Sequence, residues 1–241
     1  MRIGILLPCR NEEKNLLALV PQIMEEAVVR NLDFSLTLCE GNSSDNTWLT
    51  CQELSVEFPE HVRSVKQKKK GKFDAIVCGI DSNPSDYYLI WDSDNTIDLE
   101  SGFVLIEEAL KQPLSVFIGN RFTDEIGTDA MPRIRFLGNK CFAIMWRICF
   151  SQKIPDLLCG LKGFPSSLSA RIDEVHTKYD FYGDLTVLEL AAKYGMPTNT
   201  IDVKYQARTY GKTNIGLLAG SLRLLKSFYF AFVHFKFYKT Q

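Results

Sequence analysis

The chain has 241 residues, 46% of them apolar and 24% charged, with a formal net charge of −1. That length and composition suit one α/β domain with a sizeable core, and a charge this near zero excludes a global field drawing nucleic acid or membrane to the whole surface. Seven cysteines, an odd number with no C-x-x-C pair, give no zinc-ligand spacing and read as buried reduced thiols of a cytosolic protein.

The opening "MRIGILLPCRNEE" carries a short apolar run ended by charge, unlike a signal peptide, and no window holds the ~20 apolar residues of a membrane span. "IGILLP" (Ile3 to Pro8) predicts a buried parallel strand, and the spacing of Leu16, Leu19, Val20, Ile23 and Ala27 predicts a helix to about Arg30. "DFSLTLCE" (Asp33 to Glu40) predicts a second strand. "GNSSDNT" is a turn rich in helix-capping residues, with a helix from Asp45 or Asn46 to about Phe58. "HVRSVKQ" is a third strand, "KKKGKFDAIVCGIDS" a basic loop entering a helix, and "YYLIWDSD" a fourth strand. "SGFVLIEEALKQ" is a helix and "LSVFIGNRF" a fifth strand. This alternation predicts a doubly wound, mostly parallel sheet, whose ligands bind at the carboxyl ends of the strands.

The second half is more varied. "DEIGTDAMPRIR" reads as a polar loop, Phe136 to Lys153 as an apolar helix, and "PDLLCGLKGFP" as a loop with strand character. Asp184 to Gly195 is an amphipathic helix stopped by its glycine, "NTIDVKYQAR" a strand and "TYGKTNIG" a loop. The expected division is an α/β domain over 1–215 and an apolar, basic helix over 216–241.

The stretch "LIWDSDNTID" drives a buried strand into Asp92 and Asp94. Two carboxylates this close repel and resist desolvation, so a positive group belongs between them. A D-x-D pair at a strand end suits a divalent cation bridged to a diphosphate; the plainer alternative is a solvated loop with acidic helix caps. Glu40 ends the second strand and is placed to accept from a ribose or base, or else is an acid at a helix start. The Lys68–Lys72 run is either a solvated face or, with Gly71 letting backbone approach, a phosphate contact through Lys72. No G-x-x-x-x-G-K-[ST] pattern is present, which disfavours a P-loop NTPase.

In order and spacing, "LLPCRNEEKNL", "CEGNSSDNT", "KGKFDAIVCGI", "LIWDSDNT", "IGNRF", "PDLLCGLKGF" and "VKYQARTYGKTNI" resemble family 2 glycosyltransferases of the GT-A fold. Within that family the likeness is greatest to dolichol-phosphate mannose synthase and the polyprenyl-phosphate glycosyltransferases, over about Ile3 to Ile215. The resemblance implies that Pro8, Asn11 and Glu12 hold the nucleotide, with Glu40 standing where an Asp is usual and Asp45 closing the same motif. It implies a donor-side Lys72, a Mg²⁺ or Mn²⁺ site at Asp92 and Asp94, and an Arg121 facing a donor or acceptor phosphate. Arg133 or Arg135 matches a further acceptor-phosphate arginine, and Arg208 a loop arginine that closes on the diphosphate with Lys212. The motifs depart from the usual D-D-G-S-x-D at "CEGNSSD", from Gln at Thr96, and from G-x-S-K at "GKTN".

The resemblance also implies an inverting transferase using a nucleotide sugar of the GDP-mannose or UDP-glucose type. An anionic polyprenyl phosphate acceptor needs no protein base. The alternative acceptor, a glycan hydroxyl, does need one, and Asp184 is then the candidate, unless it is simply an N-cap. Aromatic residues interleaved with Lys and Arg over 216–241 suit a helix at the cytoplasmic face of a membrane, as does the apolar helix from Phe136; core packing or a partner subunit are the alternatives. No nucleic acid is expected as partner. A nucleotide-sugar-binding subunit without turnover, or a nucleotidyltransferase, are the readings from other classes.

Overall fold

A computed structural model describes residues 1–122, 133–175, 183, 185–211 and 217–238. One sheet of seven strands runs in the order β3-β2-β1-β4-β6-β5-β7. The strands are β1 (Ile3–Cys9), β2 (Phe34–Glu40), β3 (Val62–Lys66), β4 (Tyr87–Trp91), β5 (Val116–Asn120), β6 (Leu161–Pro165) and β7 (Thr198–Asp202). The helices are α1 (Glu13–Val29), α2 (Thr47–Glu57), α3 (Lys72–Ser82), α4 (Leu99–Lys111), α5 (Arg133–Phe150), α6 (Ser166–Ser169), α7 (Ile172–Val175), α8 (Thr186–Lys193) and α9 (Leu217–Tyr238).

The central strands are apolar on both faces because both faces are covered. Ile3, Ile5 and Leu7 point toward α1, α2 and α4, packing with Leu16, Leu19, Cys51, Phe103 and Ile106. Leu6, Tyr88 and Ile90 point the other way, into a core with Phe73, Ile76, Trp146, Leu188 and Phe228 from α3, α5, α8 and α9. α9 lies on α5 through aromatic contacts, with the Phe228 ring 6.0 Å from Trp146 and the Phe235 ring 4.8 Å from Phe150. His234 Nδ1 of α9 also stands 2.7 Å from Glu189 Oε1 of α8.

The mostly parallel sheet flanked by helices is as expected, and so is the C-terminal helix. One strand is not parallel. "PDLLCGLKGFP" delivers β6, which runs antiparallel to both β4 and β5 and separates them. Its apolar residues gave strand character without direction. The predicted last strand, through Arg208, stops at Asp202, and the chain then crosses to a bridge between Tyr205 and Ile97. α5 begins at Arg133, one turn before Phe136, and ends at Phe150. Five cysteines are buried and Cys141 is exposed, all of them free thiols.

Candidate active site

β1 pairs with β2 on one side and with β4 on the other, both parallel. The chain leaves β1 toward β2 and later returns to β4, so a crevice opens between the tails of β1 and β4. Pro8 to Glu12 line one wall and Asp92 to Asp94 the other. Ser93 ties the walls together, donating its Oγ to the Pro8 carbonyl at 2.8 Å.

The first wall is held by the loop after β2. Asn11 adopts φ 58°, a left-handed conformation that asparagine tolerates. Its N–H donates to Ser43 Oγ at 3.0 Å, and its Oδ1 accepts from the Ser44 N–H at 2.8 Å. Glu12 is buried and donates its N–H to Thr47 Oγ1 at 2.9 Å. Its Oε2 accepts from Asn15 Nδ2 at 2.5 Å. Burial raises the Glu12 carboxyl above its ordinary pKa, and the Asn15 and Arg208 contacts offset this only in part. Glu40 accepts the Ser43 N–H on Oε1 at 2.5 Å, while Oε2 is buried with no partner. An orphaned carboxylate oxygen is costly, and a donor group on a ligand would satisfy it. Asp45 turns instead to Thr47, accepting its N–H at 3.0 Å and its Oγ1 at 2.6 Å in an Asx turn just before α2.

The second wall answers the charge problem of the D-x-D pair. Lys72, first residue of α3, puts its Nζ 2.6 Å from Asp92 Oδ1. Gly71 precedes it at φ 110°, a conformation closed to other residues, and so turns Lys72 inward while Lys68, Lys69 and Lys70 stay in solvent. Asp74 folds that basic loop by accepting the Lys68 and Lys69 N–H groups at 2.8 and 2.5 Å. Asp94 takes Thr96 Oγ1 at 2.6 Å on Oδ1 and Arg208 Nη2 at 2.6 Å on Oδ2.

Arg208 reaches the crevice from the segment after β7. Its Nη1 meets Glu12 Oε1 at 2.9 Å, so one guanidinium joins both walls. Burial works against its charge, but Asp94 and Glu12 outweigh that and hold its pKa above the ordinary value. The segment is fixed by the Gln206 N–H on the Thr96 carbonyl at 2.9 Å and Gln206 Nε2 on the Asn95 carbonyl at 3.1 Å.

The structure thus brings Pro8, Asn11, Glu12, Lys72, Asp92, Asp94 and Arg208 to one crevice, with Glu40 at the end of β2 and Asp45 in the loop after it. It places Arg121 elsewhere. That side chain is buried against Asp156, with Nε and Nη2 at 2.6 and 2.8 Å from its two oxygens and the guanidinium 5.3 Å from the Tyr205 ring. Nε and Nη2 of this guanidinium are thus both engaged by Asp156. Asp184 and Lys212 lie outside the described residues. Arg135 sits half-buried on the first turn of α5, and only the backbone of Arg133 is described. Sequence reasoning missed Asn15, Asp156 and Gly160. Asn15 lies three residues from its partner Glu12, inside "NEEKN", whereas the partners of Asp156 and Gly160, Arg121 and Asp92, lie far along the chain.

Among the described residues, no group of three or more His, Cys, Asp or Glu side chains stands ready to hold a metal. The donor set at Asp92 and Asp94 still fits a hard divalent ion, which takes one or two carboxylates and completes its shell with phosphate and water. Lys72 and Arg208 already mark the site as one where positive charge is required.

A crevice at the switch point of a parallel sheet, edged by acids and cations, is where α/β folds of this kind bind their ligands. The sequence profile of glycosyl transferase family 2 matches residues 4–173, and the chain belongs to that family. It is 26% identical over 231 residues to a dolichol-phosphate mannosyltransferase of Pyrococcus furiosus, covering 94% of this chain and 64% of that relative's length. Its fold is shared with mannosyl-3-phosphoglycerate synthase from Rubrobacter xylanophilus, at a TM-score of 0.69 and 13% identity over 95% of this chain and 73% of the other. Glucosyl-3-phosphoglycerate synthase from Mycobacterium tuberculosis, in complex with Mn²⁺, UDP and phosphoglyceric acid, superposes with a TM-score of 0.68 at 14% identity, over 96% and 78% of the two chains.

Proposed function

We propose that the chain is an inverting glycosyltransferase that moves a hexose from a nucleoside diphosphate sugar to a polyprenyl phosphate, with Mg²⁺ or Mn²⁺ at Asp92 and Asp94. The observation that carries this reading is the pairing of Asp92 with Lys72 and of Asp94 with Arg208 at the tail of β4. Each acid has beside it the cation that a diphosphate would recruit when a metal takes the acid. The name of the Pyrococcus furiosus relative supports the acceptor, and the Mn²⁺ and UDP of the Mycobacterium tuberculosis structure support the metal and the donor class.

In the reaction, the leaving nucleoside diphosphate gains negative charge. A bound metal would act there as a Lewis acid. Arg208, released from Asp94, and Lys72, released from Asp92, add fixed positive charge at the same place. Glu12 and Asn11 orient the nucleoside, with the buried Glu40 behind them. The acceptor phosphate is already an anion, so its oxygen attacks the anomeric carbon without a base, and inversion results from in-line displacement.

The acceptor reading implies work at a membrane surface. No helix among the described residues is long and apolar enough to cross one. α5 exposes Ile134, Leu137, Ile144 and Ile148 at helical spacing, and α9, packed on it, exposes Leu222, Leu225 and Tyr229. Arg135, Lys140, Arg147, Arg223, Lys226 and Lys236 stand among these residues. Apolar stripes interleaved with basic groups suit an interface with anionic headgroups, at the cytoplasmic face.

The test is a transfer assay with radiolabelled GDP-mannose and UDP-glucose, polyprenyl phosphate and Mg²⁺ or Mn²⁺, counting label extracted into organic solvent. Label that is sensitive to chelator and absent with Asp92→Ala is the expected result. Metal-dependent donor hydrolysis without lipid label would overturn the acceptor and point to a glycan hydroxyl with Asp184 as base. Donor binding with no nucleoside diphosphate released under any acceptor would leave a binding subunit.

A further inference from the structure

The turn before β6 builds a seat for Asp92. β4 and β6 are antiparallel with Trp91 opposite Leu161. The ladder gains one more bond, from the Asp92 N–H to the Gly160 carbonyl at 3.1 Å. The Asp92 side chain then lies against the Cα of Gly160. A Cβ built at Gly160 would overlap Cγ and Oδ2 of Asp92 and stand 2.8 Å from its Cβ. Lys72 holds Oδ1 on the other side at 2.6 Å, so the carboxylate is fixed between a cation and a bare backbone.

The turn is braced at both ends. Asp156, fully buried, accepts from Arg121 Nε, Nη2 and N–H at 2.6, 2.8 and 3.2 Å, and from the Leu158 N–H at 3.2 Å. Lys162, also fully buried, donates its Nζ to the Cys159 carbonyl at 2.5 Å. Between these, the Cys159 thiol fits where Gly119 has no side chain, since a Cβ there would lie 2.6 Å from Sγ. A buried ion pair and a buried ammonium are costly, and both occur where the chain passes from α5 into β6.

We propose that Gly160 is a positioning residue for Asp92: braced by Arg121–Asp156 and Lys162, it sets the direction in which Asp92 meets the divalent cation and the donor diphosphate. This role rests on the metal reading of Asp92 and Asp94. The backbone at Gly160 is not left-handed, and the three atoms nearest its missing Cβ all belong to the Asp92 side chain, which is 31% exposed. Gly160→Ala therefore turns Asp92 aside instead of unfolding the chain.

The test is Mn²⁺ binding, read as loss of the free Mn²⁺ electron paramagnetic resonance signal, with GDP and with UDP. Wild type, Gly160→Ala, Asp92→Ala and the double variant are compared, each with its melting curve. The expected result is affinity roughly 10–100-fold weaker for Gly160→Ala at an unchanged melting temperature, and no further loss when it is added to Asp92→Ala. Wild-type affinity in a folded Gly160→Ala, or an added loss in the double variant, would overturn the role. If Gly160→Ala does not fold, the double variant decides: removing the Asp92 side chain restores folding if the contact is the cause, and failure to restore it overturns the proposal. Failure of the metal reading itself shows separately, as equal Mn²⁺ binding by wild type and Asp92→Ala, and then this role falls with it.

Discussion

Nη2 of Arg208 lies 2.6 Å from Oδ2 of Asp94, across 114 positions of chain. The contact brings the segment after the last strand onto the tail of β4. The same guanidinium reaches Glu12 on the tail of β1, so a single residue spans the crevice. In the proposed reaction a diphosphate and a metal would replace these two acids as its partners, with the arginine already at hand for the leaving group.

Arg208→Ala should lower turnover roughly 10²–10³-fold, the usual range for removing a group aimed at developing charge. Arg208→Lys should restore little, because one ammonium cannot fork to two diphosphate oxygens as a planar guanidinium does. Initial rates at saturating donor check this; a lysine variant with near wild-type turnover would rule out the fork.

Lys72→Met leaves Asp92 without its cation. Binding of a nucleoside diphosphate should weaken roughly 10–100-fold, as expected for one charge-assisted hydrogen bond of about 1.5–3 kcal/mol. Titration calorimetry on wild type and variant measures it directly.

Glu12 gives the structure a pH dependence. Its folded pKa is raised above the ordinary 4.5, chiefly by burial. The folded chain therefore keeps this proton at pH values where the unfolded chain has lost it, and stability falls as pH rises from about 4.5 through the folded value. Glu12→Gln removes that dependence. The difference in melting temperature, variant minus wild type, should grow across this window; a flat difference would show that Arg208 neutralises the burial.

Arg121→Met strands Asp156, which has no exposure. Unfolding in urea should show a loss of about 3–5 kcal/mol, the cost of leaving a buried charge unpaired. The double variant Arg121→Met with Asp156→Leu should regain much of it. An arginine that served only to bind phosphate would leave the urea midpoint unmoved.

Ile144→Ser with Ile148→Asp alters two side chains that are 61% and 76% exposed. Co-sedimentation with vesicles rich in anionic lipid should drop, while Mn²⁺ and nucleotide binding stay at wild-type values. Undiminished sedimentation would assign the stripe to a partner protein or to another copy of the chain.

Local residues carry much of this protein. The apolar runs at Ile3 and Tyr87, each followed by a helical pattern, specify parallel strands covered on both faces, because such strands are apolar throughout. The acids at their carboxyl ends then fall along one edge of the sheet, so the crevice and its Asp92, Asp94, Glu12 and Lys72 were legible in the chain alone. Other relations were not legible, because they join distant parts of the chain. β6 carries the same apolar residues whichever way it runs; its antiparallel place between β4 and β5 comes from packing, and only that register sets Gly160 under Asp92. Arg121 sits in a motif that suggests a phosphate partner, yet a buried Asp156 offers two oxygens in the fork geometry a guanidinium prefers. Sequence determined which charges the crevice would hold, since strand periodicity fixes where each tail emerges. Tertiary structure alone decided which charges neutralise one another, since that depends on distances between segments that no local pattern encodes.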